Sequence, residues 1–290
     1  MDPFQRQALT CLYWHRLMST DQVRRLIAPS SPVRTVQHKL LDLHRDQLID
    51  GIHGYHAPRA WHVTDDGAQL VEAAGQVDAR PYRAPGAAVL KLLRGHALDV
   101  VETGLAFAET ARVHGHDCGP LSWTPEVAHH LQHQRSRDAV IADAVLHYTA
   151  EAAGRRVQHT FFIELDRATM PVARLARKLR AYVRYHDFTP PKSTRPAWRQ
   201  RYPKFPKCLV VLSGAAEHVL ERRLIDLRAH ARAMPDLEFA GDRVTFLATQ
   251  LHRLRSEGTL VLCPDRFAGL VMLLVSGPSV GGVRCGCGFV

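Results

Sequence analysis

Apolar positions near the start of the chain recur at helical spacing, at Phe4, Ala8, Leu9, Leu12 and Leu17. Ser19-Thr20-Asp21-Gln22 reads as a capping box, with Ser19 as N-cap and Gln22 three residues on. It opens a helix carrying Val23, Leu26 and Ile27, which ends at Pro29. Ser31-Pro32 starts the next helix, Ser31 as N-cap and Pro32 at the first helical position. Val33, Val36, Leu40 and Leu43 form its apolar face, and Arg34, Thr35, Gln37, His38 and Lys39 fall largely off that face. Leu48-Ile49 and Ala60-Trp61-His62-Val63 read as short strands around a glycine- and proline-bearing turn. Thr64 then caps a helix through Leu70, Val71 and Ala74.

Three helices, two strands and a helix, in that order, resemble a winged helix-turn-helix. This unit is expected over 1–78, with a proline- and glycine-bearing linker over 79–88. A long helical pattern follows from about 87 to 114, with Leu90, Leu93, Leu98, Val101 and Leu105. Leu121-Ser122-Trp123 and a helical stretch from Pro125 come next. Ala139–Leu146 and His159–Asp166 read as strands separated by a turn at Gly154. Pro171–Tyr185 reads as a helix, Cys208–Leu212 as a buried strand, and Glu217 to about Met234 as a helix. Val244–Ala248 and Leu260–Leu262 read as strands around a helix at Thr249–Arg255. Alternation of this kind predicts an α/β (α+β) domain with a mixed central sheet over 89–268, followed by a tail over 269–290 of no assigned role.

Composition narrows the class. Among the 290 residues, 46% are apolar, enough for a real core. No apolar run reaches the roughly 18 residues of a membrane span. The opening Met1-Asp2-Pro3-Phe4 lacks the pattern of a secretory signal, and six cysteines are too sparse for a disulfide scaffold. A cytoplasmic setting is therefore expected. The net charge of +10 favours a polyanionic partner. Only six of the 38 basic residues are lysine, so a mechanism that needs one has few to choose from.

The charge is concentrated. From Arg167 to Lys207 there are twelve basic residues and one acid, Asp187. Arg174, Arg177, Arg195, Arg199 and Arg201 belong to this arm. Tyr182, Tyr185, Phe188, Trp198, Tyr202 and Phe205 are interleaved, a composition suited to backbone contact with base stacking. A solvated helix face and loop has the same composition. In the expected recognition helix, Arg34, Thr35, His38 and Lys39 are placed to reach a major groove.

Three carboxylates suggest chemistry. Glu164 and Asp166 are two apart in a strand and share a face, while Ile163 and Leu165 take the other. A hairpin brings Asp143 alongside. Carboxylates gathered in this way repel one another until a hard cation such as Mg²⁺ or Mn²⁺ binds them. Such an ion activates water and stabilises charge at a phosphate. Surface ion pairs with nearby arginines are the other account of the same residues. Lys178, on the following helix, is placed to assist at a phosphate or to serve as an ordinary surface cation. His129-His130-x-x-His133 falls on the expected polar helix, and Cys285-x-Cys287 lacks a second pair, so neither reads as a zinc site. No P-loop motif occurs.

The winged helix, the segment AVIADAVL and the segment HTFFIELDRATMPVARLARKLRAYVRYH together resemble the replication-relaxation family of actinobacterial plasmids and integrative elements. The resemblance runs over roughly residues 5 to 265. It implies plasmid replication and DNA relaxation, and a catalytic domain similar to mobilisation relaxases of the PD-(D/E)xK restriction-endonuclease-like fold. It implies Asp143, Glu164 and Asp166 as metal carboxylates. Ala142 stands where that motif usually has proline, and Asp166 stands at its lysine position, with Lys178 able to supply the cation from the helix. Two functions follow. One is a metal-dependent endonuclease or relaxase acting on double-stranded DNA and on single-stranded DNA at a nick. The other is a non-catalytic replication or transcription regulator with a degenerate nuclease domain.

Overall fold

The structure is a computed structural model that describes residues 1–54, 57–78, 86–131, 139–152, 154–258 and 272–273. It opens with helix α1 (Pro3–His15), started by a capping box between Asp2 and Gln5. Strand β1 (Met18–Ser19) leads into α2 (Thr20–Ile27), where the expected box between Ser19 and Gln22 is present. Helix α3 (Val33–Arg45) has Pro32, not Ser31, at its N-cap, and no side chain caps it. Ser31 therefore does not take the capping role expected of it. The Pro32 carbonyl already accepts from the Thr35 and Val36 amides, which sets the start of the helix one residue later. Val33 accordingly lies in the first turn and is exposed, while Val36, Leu40 and Leu43 are buried as expected.

Strands β2 (Ile49–Gly54) and β3 (Ala57–Val63) form the hairpin, and β1 adds antiparallel to β3, giving the order β1-β3-β2. Helix α4 (Asp65–Ala73) is capped by Thr64, whose hydroxyl accepts from the Gly67 amide. Three helices against a small antiparallel sheet that ends in a hairpin follow the element order expected of a winged helix.

Helix α5 (Ala87–His114) runs for 28 residues and ends on Gly115 at φ +68°, a left-handed conformation that glycine adopts without strain. Strands β4 (Trp123–His130), β5 (Ala139–Ala152) and β6 (Arg155–Asp166) then form an antiparallel meander. Helix α6 (Val172–Asp187) and a 3₁₀ turn at Ala197–Gln200 lead to β7 (Lys207–Leu212), parallel to β6. Helices α7 (Glu217–Arg232) and α8 (Pro235–Glu238) precede β8 (Phe246–Gln250), which is parallel to β7. Helix α9 (Leu251–Glu257) and the antiparallel edge strand β9 (Met272–Leu273) follow. The six strands lie in sequence order, β4 to β9. A helix, three antiparallel strands, a helix and a parallel strand make this a mixed α/β unit.

The sequence reading fails at β4. The helical stretch expected from Pro125 is a strand, so His129 and His130 lie on a strand; His133 is outside the described residues. Pairing with β5 decides the matter, because strand propensity yields to the neighbours a segment meets. The boundary at Thr249 moves as well: this residue belongs to β8, and α9 starts at Leu251. The strand expected at Leu260–Leu262 and nearly all of the tail lie outside the described residues.

The large sheet is covered on both faces. Phe161, Ile163 and Leu165 of β6 pack with α5, and this cluster continues into α1, α2 and α3. Phe162 faces the other way, into a cluster with Leu175, Leu179 and Tyr182 of α6 and Leu220, Leu224 and Leu227 of α7. Gly104 of α5 lies against the Trp123 ring, where a Cβ would come within 2.3 Å, so only glycine lets helix and indole approach this closely. No helix among the described residues is long and apolar enough to cross a membrane.

Candidate functional site

The site forms where β5 leaves β6. Their pairing runs from Ala152–Arg155 to Ala144–Ile163, and Asp143 and Glu164 are the next positions in that register. On its other side Asp143 faces Glu126, which has φ +51° and interrupts the ladder with β4. The alternation of faces slips here: Val140 and Ala142 pack on the α6–α7 side, Ala144 and Leu146 on the α5 side. Asp143 at the slip can therefore be reached from both helical layers. Its Oδ2 accepts from the Leu165 amide at 2.7 Å, and its Oδ1 lies 3.6 Å from both His96 Nε2 of α5 and Lys178 Nζ of α6.

Glu164 is wholly buried, on the α6–α7 face that the two-residue period of the strand predicts. Lys178 Nζ pairs with its Oε2, and the Tyr182 hydroxyl donates to its Oε1. Lys178 and Tyr182 are one helical turn apart on α6, so both reach the same carboxylate. Burial, and then the charge of Asp143, push the Glu164 carboxyl up to about 8, against the pull of Lys178 and Tyr182. Burial works against the charge of Asp143 too. There His96, Lys178 and the Leu165 amide prevail and hold the carboxyl below its ordinary range. The Asp143 carboxylate raises the His96 imidazole, burial opposing it. Lys178 is raised as well: burial disfavours its charge, and Glu164 and Asp143 more than restore it.

Asp166 is also buried, but its neighbours are different. Its Oδ2 pairs with Arg223 of α7, whose Nη2 donates to the Met170 carbonyl. Asp143, Glu164 and Lys178 thus meet in one cluster, and Asp166 is engaged beside it. No group of three or more His, Cys, Asp or Glu among the described residues is placed to hold a metal ion. Sequence reasoning missed His96, which stands out in no local pattern, and Arg223, which is 57 residues from its partner. It also missed an anchor at the rim: Arg167 Nε donates to Asp99 Oδ2 at 2.9 Å, and Ser213 Oγ donates to the same oxygen at 2.8 Å.

The residues expected to contact DNA are dispersed. Arg34, Thr35 and His38 are exposed on α3. Lys39 is engaged, 2.7 Å from Asp2 Oδ2 and over the Phe4 ring. Arg174, Arg177, Arg195, Arg199 and Arg201 line the outer surface. Of these, Arg199 covers the Trp198 ring and Arg201 donates to the Ala128 carbonyl at 3.0 Å. The interleaved aromatics are not a stacking platform. Tyr182, Tyr185, Trp198 and Tyr202 are buried, and Phe188 and Phe205 are drawn in with them or lie at the margin. Phe162 gathers Tyr182, Tyr185, Tyr202 and Phe205, and His129 joins through its 2.8 Å hydrogen bond with Tyr202. The core takes these rings because each buries a large apolar area there.

Fold and site together define a mixed α/β protein with an N-terminal helical unit and hairpin, and with a carboxylate–lysine cluster between β5, β6 and α6. The chain belongs to the replication-relaxation family, whose sequence profile matches residues 9–196. No curated protein sequence matches it. Among solved structures, restriction endonuclease FokI bound to DNA is similar at 12% identity with a TM-score of 0.30. That match covers 86% of this chain but 43% of that one, so the chain spans less than half the length of its structural neighbour. A likeness of that size decides nothing about site or activity.

Proposed function

We propose that this protein binds duplex DNA and nicks or relaxes it by metal-dependent phosphodiester cleavage, in the cytoplasm, on a plasmid or integrative element. One observation carries the reading: Asp143 Oδ1 and Glu164 Oε2 converge on a single cation, the ammonium of Lys178. Two carboxylates from adjacent strand ends, one of them wholly buried, are a costly arrangement for a merely structural role. They are hard oxygen donors already arranged around one positive charge, a donor chemistry that suits Mg²⁺ or Mn²⁺ once the ion takes the place of the ammonium and of the Glu164 proton. Asp143 and Glu164 would hold the ion, which when bound polarises a phosphoryl oxygen and lowers the pKa of water.

The chain's own groups do the rest. The Leu165 amide and the Tyr182 hydroxyl orient the two carboxylates. Lys178 would offset charge on the phosphate. Asp166 serves the fold through Arg223 in this reading, and does not complete the ligand set. The winged helix, residues 1–78, docks through Arg34, Thr35 and His38. Within 89–268, the arginines at 174, 177, 195 and 199 hold the backbone, including a single strand at the nick.

The test is relaxation of supercoiled plasmid with Mg²⁺, with Mn²⁺ and with EDTA, for the parent and for Glu164→Gln. Relaxation that needs metal and is lost in Glu164→Gln is expected. A parent that binds DNA but leaves the plasmid supercoiled gives way to the second reading, a non-catalytic regulator. The Asp166–Arg223 pair, at the position where the motif has lysine, favours that alternative.

A further inference from the structure

The stretch before α5 reads in sequence as a linker, which suggests a reader tethered to a cutter. The packing is of another kind. One continuous core holds Leu9, Leu12, Val23 and Leu26 together with Val101, Leu105, Trp123 and Ile163. Polar contacts reinforce it. Gln22 Nε2 donates to the Leu98 carbonyl at 2.9 Å and to Glu102 Oε2 at 3.1 Å. Arg25 donates to Glu102 at 2.6 Å and, through two nitrogens, to Glu109 at 2.7 Å. Arg112 of α5 donates back to the Arg25 and Leu26 carbonyls at the end of α2. Trp14 Nε1 donates to the Trp123 carbonyl at 2.7 Å, and His15 stacks on the Trp123 ring. Bidentate, mostly buried arginine–carboxylate contacts fix orientation as well as proximity.

The wing joins the same helix near the site. Leu90 of α5 packs with Leu17, Ile52 and Ala60, and Arg94 donates to the Pro58 carbonyl. His96 follows two residues later and reaches Asp143. One unbroken helix thus touches the hairpin through Leu90 and Arg94 and the Asp143 carboxylate through His96.

We propose that the winged helix and the α/β unit form one rigid body, which holds the carboxylate–lysine site at a single fixed distance along the DNA from the sequence that α3 reads. For the reading of DNA by α3 and for the cleavage this rests on the function proposed above; the packing of the two units into one body does not. In functional terms, the chain nicks at a measured offset from its recognition sequence and does not search for the nick independently.

The experiment marks the site without using its activity. Ala215, exposed in the loop after β7, is replaced by cysteine in the full chain, with Cys263, Cys285 and Cys287 changed to serine. Iron–EDTA is attached there, and strand breaks are mapped on a duplex selected for binding from a random library, beside the footprint. One cluster of breaks at one offset is expected, and the parent's metal-dependent nick should fall at that cluster. Breaks scattered to both sides of the footprint overturn the rigid arrangement, even if the parent nicks. A single cluster without any nicking supports the geometry and sinks the nuclease reading instead. Arg25→Ala, with an unchanged footprint, should broaden the cluster. A cluster as sharp as the parent's would remove that network from the arrangement.

Discussion

The hydroxyl of Tyr182 donates to Glu164 Oε1 while Lys178, one turn earlier on the same helix, pairs with Oε2. Each oxygen of this buried carboxylate therefore has its own donor, and α6 supplies both. Tyr182→Phe keeps the ring in its pocket and removes only the donor. It should cost about 1–3 kcal/mol of stability, the range for leaving a buried polar group unsatisfied. Denaturant unfolding reads this, and a change under about half a kcal/mol would mean that water takes the place of the hydroxyl. Nicking should fall with DNA affinity unchanged.

Lys178→Met leaves Asp143 and Glu164 facing each other with no ammonium between them. The Glu164 carboxyl, already pushed up to about 8 with the ammonium present, should then keep its proton at neutral pH. The variant should therefore lose stability relative to the parent only as pH rises past about 8, and Mn²⁺ should restore melting temperature there more than in the parent. Thermal melts with and without Mn²⁺ decide it. If Glu164→Gln responds to Mn²⁺ as strongly as the parent does, the ion binds elsewhere.

Asp166 separates a ligand from a structural anion. Arg223→Met strands a buried carboxylate and should cost about 3–5 kcal/mol. Asp166→Asn should unfold more easily yet still bind Mn²⁺ and nick. Loss of both functions in a folded Asp166→Asn would return this residue to the metal set.

His129 gives the fold an acid limit. Burial, helped by Arg201, pushes its imidazole down to about 4. Folded and unfolded chains are both neutral there above about 6.5. As pH falls below that value the unfolded chain gains the proton first, so stability declines until about 4 and then levels off. The loss from this one group should reach about 3 kcal/mol. His129→Gln should flatten the decline in urea midpoint over that interval, and an unchanged slope would assign it to other groups.

The two basic surfaces should respond differently to salt. Arg34→Ala should weaken binding to a selected duplex by about 1–3 kcal/mol and relax its sequence preference if the side chain reads a base. Arg174→Ala with Arg177→Ala should instead flatten the salt dependence, by roughly 0.9 in the log–log slope for each phosphate no longer neutralised. Lys39→Ala should act mainly through stability, because Asp2 already holds that ammonium. Parent-like affinity in Arg34→Ala would take α3 out of the interface.

Much of the fold is written locally. The box at Ser19 and Gln22, the cap at Thr64 and the apolar face of α3 each depend on residues within a turn or two, where spacing alone sets which groups meet. The two-residue period of a strand likewise put Glu164 and Asp166 on one face, and the turn at Gly154 made Asp143 a neighbour of Glu164. The family resemblance was legible in the same segments. Tertiary structure decided the rest. It made Trp123–His130 a strand, because β5 offered a ladder that local propensity does not record. It drew the tyrosines of the basic arm into the core, where their area counts for more than their proximity to arginines. It set Arg223 on Asp166 and His96 on Asp143, from helices 57 and 47 residues away in sequence. Spacing can place side chains on a common face, but which of them meet across a core depends on how helices dock, and that is settled only when the whole chain packs.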